Sequence, residues 1–331
     1  IDGVITAATD YGVISAAYIA KKLGLPGIDY EVAKVIKNKY LVRRNLFQNR
    51  VDDLSQFFEV DSSDKLNEIK EQVNYPVIVK PSDGSGSKAI NKADNFSELI
   101  SGYNKASNES LSGKVLVEDY ILGEEYGVES FVYRGEVSVL GIMAKKMTSP
   151  PNYAELGHHV PSGLLIEDRI KNTVIKAIKS LGVNFGAVNM DVLVTPENKV
   201  YIIDVGARMG GNLIGSHIIP LSTNIDYMKI LIEAAIGDSV KIENPTIKKN
   251  VISRLLALSP GKVKQLPDFK KIEKVYQVEI LHFLTVGSEI REYKNNLDGW
   301  GYVISVSDDF KKGMENAEKA VKLIDKGITR K

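Results

Sequence analysis

Apolar and polar positions along the chain fall into two rhythms, and the switches between them mark out the elements. Residues 4–9, VITAAT, read as a strand, and residues 11–24, YGVISAAYIAKKLG, carry apolar side chains at helical spacing up to Gly24, with Pro26 beyond. A strand followed by a helix is half of a unit that needs parallel neighbours, and none precedes it. Residues 1–30 are therefore expected to be the end of a larger domain whose beginning the sequence lacks. Residues 31–48 and 65–73 predict amphipathic helices. Strand patterns follow at 77–80 and around 88–91, and a helix opens near Phe96 behind Asp94 or Asn95. Further strands are predicted at 114–121, 124–135, 136–147, 187–195 and 199–207, with helices at 166–182 and 226–237. From about Val251 short strands alternate with turns (251–259, 274–287, 301–307), and residues 310–327 form a basic helix, read as a solvated face.

Composition narrows this picture by exclusion. A chain of 331 residues, 44% apolar and 26% charged, has room for two or three domains with substantial cores. The formal net charge of +1 gives no electrostatic footprint for nucleic acid or an anionic membrane. Cysteine is absent, which removes disulfides, thiolate catalysis and Cys-ligated metals and fits a cytoplasmic protein. No apolar run is long enough to span a bilayer, and no signal peptide is seen.

Candidate chemistry concentrates in five stretches. PVIVKPSDGSGSKAI (76–90) leads an apolar strand into Lys80, then into a Gly/Ser loop ending at Lys88. Loops poor in side chains expose backbone N–H groups to anions, and lysine adds point charge, so phosphate is the expected ligand. The loop does not fit a Walker A motif. It matches G-x-G-x-x-A at Gly84, Gly86 and Ala89, but no helix opens there, as a dinucleotide fingerprint requires. A hairpin flap over a polyphosphate fits, and so does a solvated surface turn. Asp191 and Asp204 end two strands joined by the turn PEN (196–198), which places both acids on one face, a pair of hard oxygen ligands suited to Mg²⁺. Each alone would read as a cap. VEDYILGEEY (117–126) offers a bend between Glu118 and Glu125 that suits an adenine edge and ribose, or an exposed acidic hairpin. NYAELGHHVPSG (152–163) reads as a loop with Glu155 and His158 three apart, a pair able to bind a substrate ammonium or carboxylate. A third ligand at zinc spacing is lacking there. MAKKM (143–147) reads as a strand whose basic side chains face phosphate, and is not the AMKM of a biotinylated lysine.

Taken in order, Lys39, Lys80 with its Gly/Ser loop, Glu118, Glu125, Asp191, Asp204 and Arg208 resemble the ATP-grasp superfamily of carboxylate–amine (or thiol) ligases. The similarity runs from about residue 2 to the end and is most specific between Lys39 and Asn212. GEEY (123–126), YAELGHHVPS (153–162) and DVGARMGG (204–211) resemble most the L-amino-acid ligase branch. The resemblance implies an α/β (α+β) protein of ATP-grasp fold, with two α+β subdomains clasping ATP. Residues 1–30 would be the remainder of a Rossmann-like domain, 31–245 the ATP-grasp domain with its lid at 74–122, and 250–331 a small C-terminal α+β domain.

By the same resemblance, Lys39 and Lys80 would contact the α- and β-phosphates, with the loop of Gly84, Ser85, Gly86 and Ser87 closing over the far end. Glu118, Asp119, Tyr120 and Ile121 would line the adenine edge, Leu193 its face, and Glu125 the ribose. Asp191 and Asp204 would hold Mg²⁺, with Mn²⁺ as an alternative. Arg208 and Lys80 would be catalytic, Arg208 facing an acyl phosphate, while Glu155, His158, Arg208, Gly211 and Asn212 would face the substrates. The implied partners are ATP, a carboxylate and an amine, with no nucleic acid and no membrane, and homo-oligomers left open. The sequence departs from the superfamily in one respect: the metal-ligating Asn usual two residues after the second acid is Gly206 here, and both metal acids are Asp rather than the commoner Glu.

Overall fold

The computed structural model describes residues 1–86, 88–149, 152–242 and 245–331. Three helices open the chain: α1 (Val13–Leu23), α2 (Tyr30–Ile36) and α3 (Lys39–Gln48). Residues 4–9 form no strand, contrary to expectation. With no neighbouring strand to pair with, the segment is anchored by single contacts such as Met209 N–H to the Ala7 carbonyl, 2.9 Å. The helix expected over 31–48 is two. Asn38 breaks it because its side chain caps α3 by accepting from the Leu41 N–H. That break puts Lys39 at the first turn of α3, where its N–H donates to the Ser82 carbonyl at 2.7 Å.

A four-stranded antiparallel sheet follows, built from β1 (Phe57–Val60), β2 (Val77–Pro81), β3 (Asn91–Ala93) and β4 (Val115–Asp119) in the order β1-β4-β2-β3. Helices α4 (Ser63–Ile69) and α5 (Phe96–Glu109) cover it, the latter capped by Asn95. Val77, Val79, Val115 and Val117 point into one cluster with Leu99 and Tyr103 of α5. The expected strand at 88–91 is shifted to 91–93, and β1 went unpredicted.

Eight of the remaining strands make a second sheet, and three in the C-terminal residues make a small third one. One side of the eight-stranded sheet comprises β5 (Glu124–Tyr133), β6 (Glu136–Met147), β7 (Glu155–Val160), β8 (Gly186–Val194) and β9 (Val200–Gly206), in the order β7-β6-β5-β8-β9 with β9 at the edge. Helix α6 (Glu167–Ser180) lies on one face through Ile170, Val174, Ala177 and Ile178. Each large aliphatic side chain fully buried there contributes roughly 1.5–3 kcal/mol. The opposite face is apolar only in part: Phe131, Met143 and Ala187 pack on α7 (Ile219–Thr223) and α8 (Tyr227–Ala235). Period-2 alternation then decides where chemistry lies, since Met190 and Val192 enter the α6 core while Asp191 and Leu193 face a cavity.

The C-terminal residues carry their own core, yet β10 (Asn250–Leu255) pairs with β7 and so extends the central sheet. After β11 (Gly261–Gln265) and α9 (Phe269–Tyr276) come β12 (Val278–His282), β13 (Glu289–Ile290), β14 (Gly301–Ser307), α10 (Phe310–Gly327) and β15 (Thr329–Arg330). The strand expected over 274–287 begins later, because Asp268 caps a helix that runs to Tyr276 and ends at left-handed Gln277. The loop expected at 152–163 contains β7, in mid-sheet. No helix is long and apolar enough to cross a membrane among the described residues.

Candidate active site

A cavity of about 600 Å³ separates the four-stranded sheet from the polar half of the eight-stranded sheet. Lys39, Lys80, Gly84, Ser85, Gly86, Glu118, Asp119, Tyr120, Ile121, Glu125, Asp191, Leu193 and Asp204 line it. Ser87 lies outside the described residues. Glu155, His158, Arg208, Gly211 and Asn212 do not line it.

The charges in the cavity are arranged in pairs. Lys80, buried at the end of β2, places Nζ 2.5 Å from Glu118 and 3.0 Å from the Ile203 carbonyl. Glu118 also lies 3.5 Å from Arg43 Nε, and Arg43 binds Asp52 at 2.7 Å. The Glu118 carboxylate is thus engaged by two cations, and that of Asp119 by Gln56 at 2.9 and 3.1 Å. Asp191 and Asp204 face each other across the β8–β9 ladder, as the hairpin turn between them predicts. Lys39 Nζ stands 2.5 Å from Asp204. Burial pushes the Asp204 carboxyl up, but the Lys39 and Lys80 ammonium groups together hold it below its ordinary value. At Asp191 burial prevails and raises it, against Lys145.

Lys145 is the residue that links the cavity to the polar groups beside it. Its ammonium lies 2.7 Å from both Asp191 and Glu155 and 3.7 Å from Glu125. Burial opposes the charge, yet the three carboxylates raise the Lys145 pKa well above its ordinary value. Glu155 is correspondingly lowered to about 2, burial being outweighed chiefly by Lys145. His158 pairs with Lys145 across the β6–β7 ladder and lies wholly buried, 3.8 Å from Glu155. Burial lowers it to about 4, so the ring is neutral near pH 7. Asn212 Nδ2 donates to Glu155, and Tyr302 donates to Asn212 Oδ1 at 3.0 Å. MAKKM forms the expected strand, but only Lys145 reaches the cavity while Lys146 pairs with Glu318, and no sequence pattern gave the three partners of Lys145.

Arg208 binds the N-terminal segment. It lies 2.9 Å from Asp10 through Nε and 3.0 Å through Nη2, and donates through Nη1 to Asn189 at 3.2 Å. A Cβ at Gly206 would fall 2.9 Å from the Arg208 guanidinium carbon and 3.1 Å from Asp10. The volume an Asn side chain would need at position 206 is therefore filled by this ion pair. Among the described residues no three His, Asp or Glu side chains gather to hold a metal ion. Asp191 and Asp204 remain, two hard ligands of the kind Mg²⁺ supplements with water and phosphate oxygens.

Comparison with known proteins agrees with this architecture. The ATP-grasp domain family matches residues 73–216. The chain is 27% identical to the D-alanine–D-alanine ligase of Acetivibrio thermocellus, over 75% of this chain and 62% of that protein. It spans 68%, 52% and 62% of the length of three curated relatives it matches. Among solved structures, an L-amino acid ligase from Bacillus licheniformis superposes with a TM-score of 0.85 at 24% identity, covering 100% of this chain and 81% of that one. A phosphoribosylglycinamide synthetase from Anaerococcus prevotii gives 0.73 at 27% identity, covering 100% and 83%. Residues 73–216, the stretch that matches the ATP-grasp domain family, supply most of the two sheets that close on the lysine- and aspartate-lined cavity.

Proposed function

We propose that the protein activates the carboxylate of an amino acid with ATP and joins it to an amine, releasing ADP and phosphate. The observation that carries this reading is the Lys145 ammonium, shared at 2.7 Å between Asp191 in the phosphate cavity and Glu155 in the polar cluster beside it. A carboxylate held near Glu155 and Asn212 would lie next to the transferred phosphoryl group. In the first step a carboxylate oxygen attacks the γ-phosphorus and the bond to the β–γ bridging oxygen breaks, giving an acyl phosphate and ADP. In the second, the amine nitrogen attacks the acyl carbon, loses a proton, and phosphate departs. Catalysis is positioning and charge neutralisation. Lys39 and Lys80 would bind ATP phosphates, the 84–86 loop would cover them, and Glu125 would take the ribose. Asp191 and Asp204 would hold Mg²⁺, which neutralises phosphate charge when bound.

The likeness to phosphoribosylglycinamide synthetase favours a second reading, a purine-pathway ligase. A ribose-phosphate pocket beside Glu155 would need free basic groups. Lys145 is engaged by three carboxylates there, and Lys146 lies 2.7 Å from Glu318. A third reading, nucleotide binding without ligation, rests on Gly206. Phosphate release with ATP, Mg²⁺ and a panel of amino acids, against phosphoribosylamine with glycine, separates them. Amino-acid-dependent release with a dipeptide in the products is expected. Release only with phosphoribosylamine and glycine would establish the second reading, and ATP binding without release the third.

A further inference from the structure

We propose that the C-terminal strands complete the amino-acid subsite, with Asn296 and Tyr302 as positioning residues that set how an ammonium-bearing substrate is held and which side chains are admitted. The inference rests on the ligase reading above. Its basis is the orientation of two amide groups around one buried carboxylate. Tyr302, on β14, donates to Asn212 Oδ1 at 3.0 Å, which leaves Asn212 Nδ2 to face Glu155. Asn296 is fixed in the same sense. Its Oδ1 accepts from the Glu155 N–H at 3.2 Å and from the Tyr293 hydroxyl at 3.3 Å, so its Nδ2 reaches Glu155 Oε2 at 3.3 Å. A capping box between Asn295 and Asp298 holds that turn in place.

Two further observations point to a cationic ligand. Of the three carboxylates around the single ammonium of Lys145, Asp191 is given to Mg²⁺ in the proposed reaction, and Glu125 and Glu155 remain against that one cation. Beside them both ring nitrogens of the fully buried His158 lack a hydrogen-bond partner among the described residues. A primary ammonium carries donors that match the Glu155 oxygen and a His158 lone pair, and it would displace the weaker amide donors of Asn212 and Asn296. The two amides would then turn to the rest of the substrate. Their starting orientation depends on Tyr302 and the 293–298 turn.

The test compares wild type with Tyr302→Phe and Asn296→Ala in amino-acid-dependent phosphate release, with unfolding temperatures measured alongside. Tyr302→Phe loses one hydrogen bond at the subsite and should raise the KM for the amino acid about 3- to 10-fold, and Asn296→Ala, which loses three, should raise it at least as much. The KM for ATP should stay within about twofold. The ranking of amino acids by kcat/KM should change. Variants that melt lower but keep the wild-type amino-acid KM and ranking would show a merely structural tie and overturn the inference alone. Wild-type protein that releases no phosphate with any amino acid would overturn the ligase reading, and this inference with it.

Discussion

Lys80 is held by Glu118 and the Ile203 carbonyl, which fix its ammonium at the wall of the cavity. Lys80→Ala removes one charge-assisted contact, worth about 1.5–3 kcal/mol, and should raise the ATP Kd about 10- to 100-fold by calorimetry. An unchanged Kd would remove Lys80 from the nucleotide site. Glu129 lies wholly buried on β5. It accepts from Tyr227, Asn189 and the Gly210 N–H at 2.8–3.1 Å, with Arg208 nearby. Burial raises its pKa from 4.5 to about 7, outweighing those donors. A raised carboxyl contributes stability that is full below the unfolded value and is lost as pH climbs to the folded one. Between about pH 4.5 and 7 the fold should therefore lose on the order of 3 kcal/mol from this group. Glu129→Gln should remove that slope from urea unfolding measured across the range, whatever its absolute stability; an undiminished slope would assign the titration elsewhere. Lys80, Asp191 and Asp204 could be singled out because each interrupts an apolar strand pattern, although the two aspartates lie inside β8 and β9 and do not end them, whereas Lys39 came only from the family resemblance. Lys145, Asp10 and Glu129 could not, since their partners lie far away in sequence and periodicity carries no information on pairing across a sheet.

At the scale of elements, legibility followed the environment of each face. Strands flanked by apolar cores, such as β5 and β8, were visible in the period-2 pattern, and α10 was predicted at its observed limits. β7 was hidden because ELGHHV puts Glu155 and His158 on a face that meets polar groups instead of a core. The residue that lets β7 sit in mid-sheet is Gly157, at φ +149°, where an added Cβ would stand 2.2 Å from the Ser253 carbonyl oxygen of β10. Gly157→Ala must push β7 and β10 apart or strain the backbone, and should cost about 2–4 kcal/mol. The expected result is a lowered unfolding temperature together with faster hydrogen exchange at Val251 and Ser253, whose strand pairs there. Wild-type stability would mean that the sheet absorbs the methyl group without parting these strands.

Across the whole molecule, the N-terminal segment, the loop after β2 and the end of β9 meet on one carboxylate. Asp10 accepts from Ser85 at 2.7 Å and from Arg208 Nη2 at 3.0 Å, with Arg208 Nε ion-paired at 2.9 Å, and Ala7 anchors the same segment by accepting from Met209. Burial opposes its charge, but Arg208 foremost, with Ser85, holds the carboxyl below its ordinary value, so Asp10 stays ionised at neutral pH. Within the proposed reaction this contact has a consequence. An acyl phosphate survives only while water is kept out, and the loop that would exclude water is tied to the body through Ser85. Asp10→Ala cuts that tie and frees Arg208; Ser85→Ala cuts the tie and leaves the Arg208 pair in place. Losing one hydrogen bond shifts an open–closed equilibrium by about 2- to 10-fold. Both variants should therefore release more phosphate per amide formed than wild type. A ratio unchanged in both would show that closure does not depend on this contact. A rise in Asp10→Ala alone would place the effect in Arg208, whose guanidinium would then have lost the partner that holds it above Gly206.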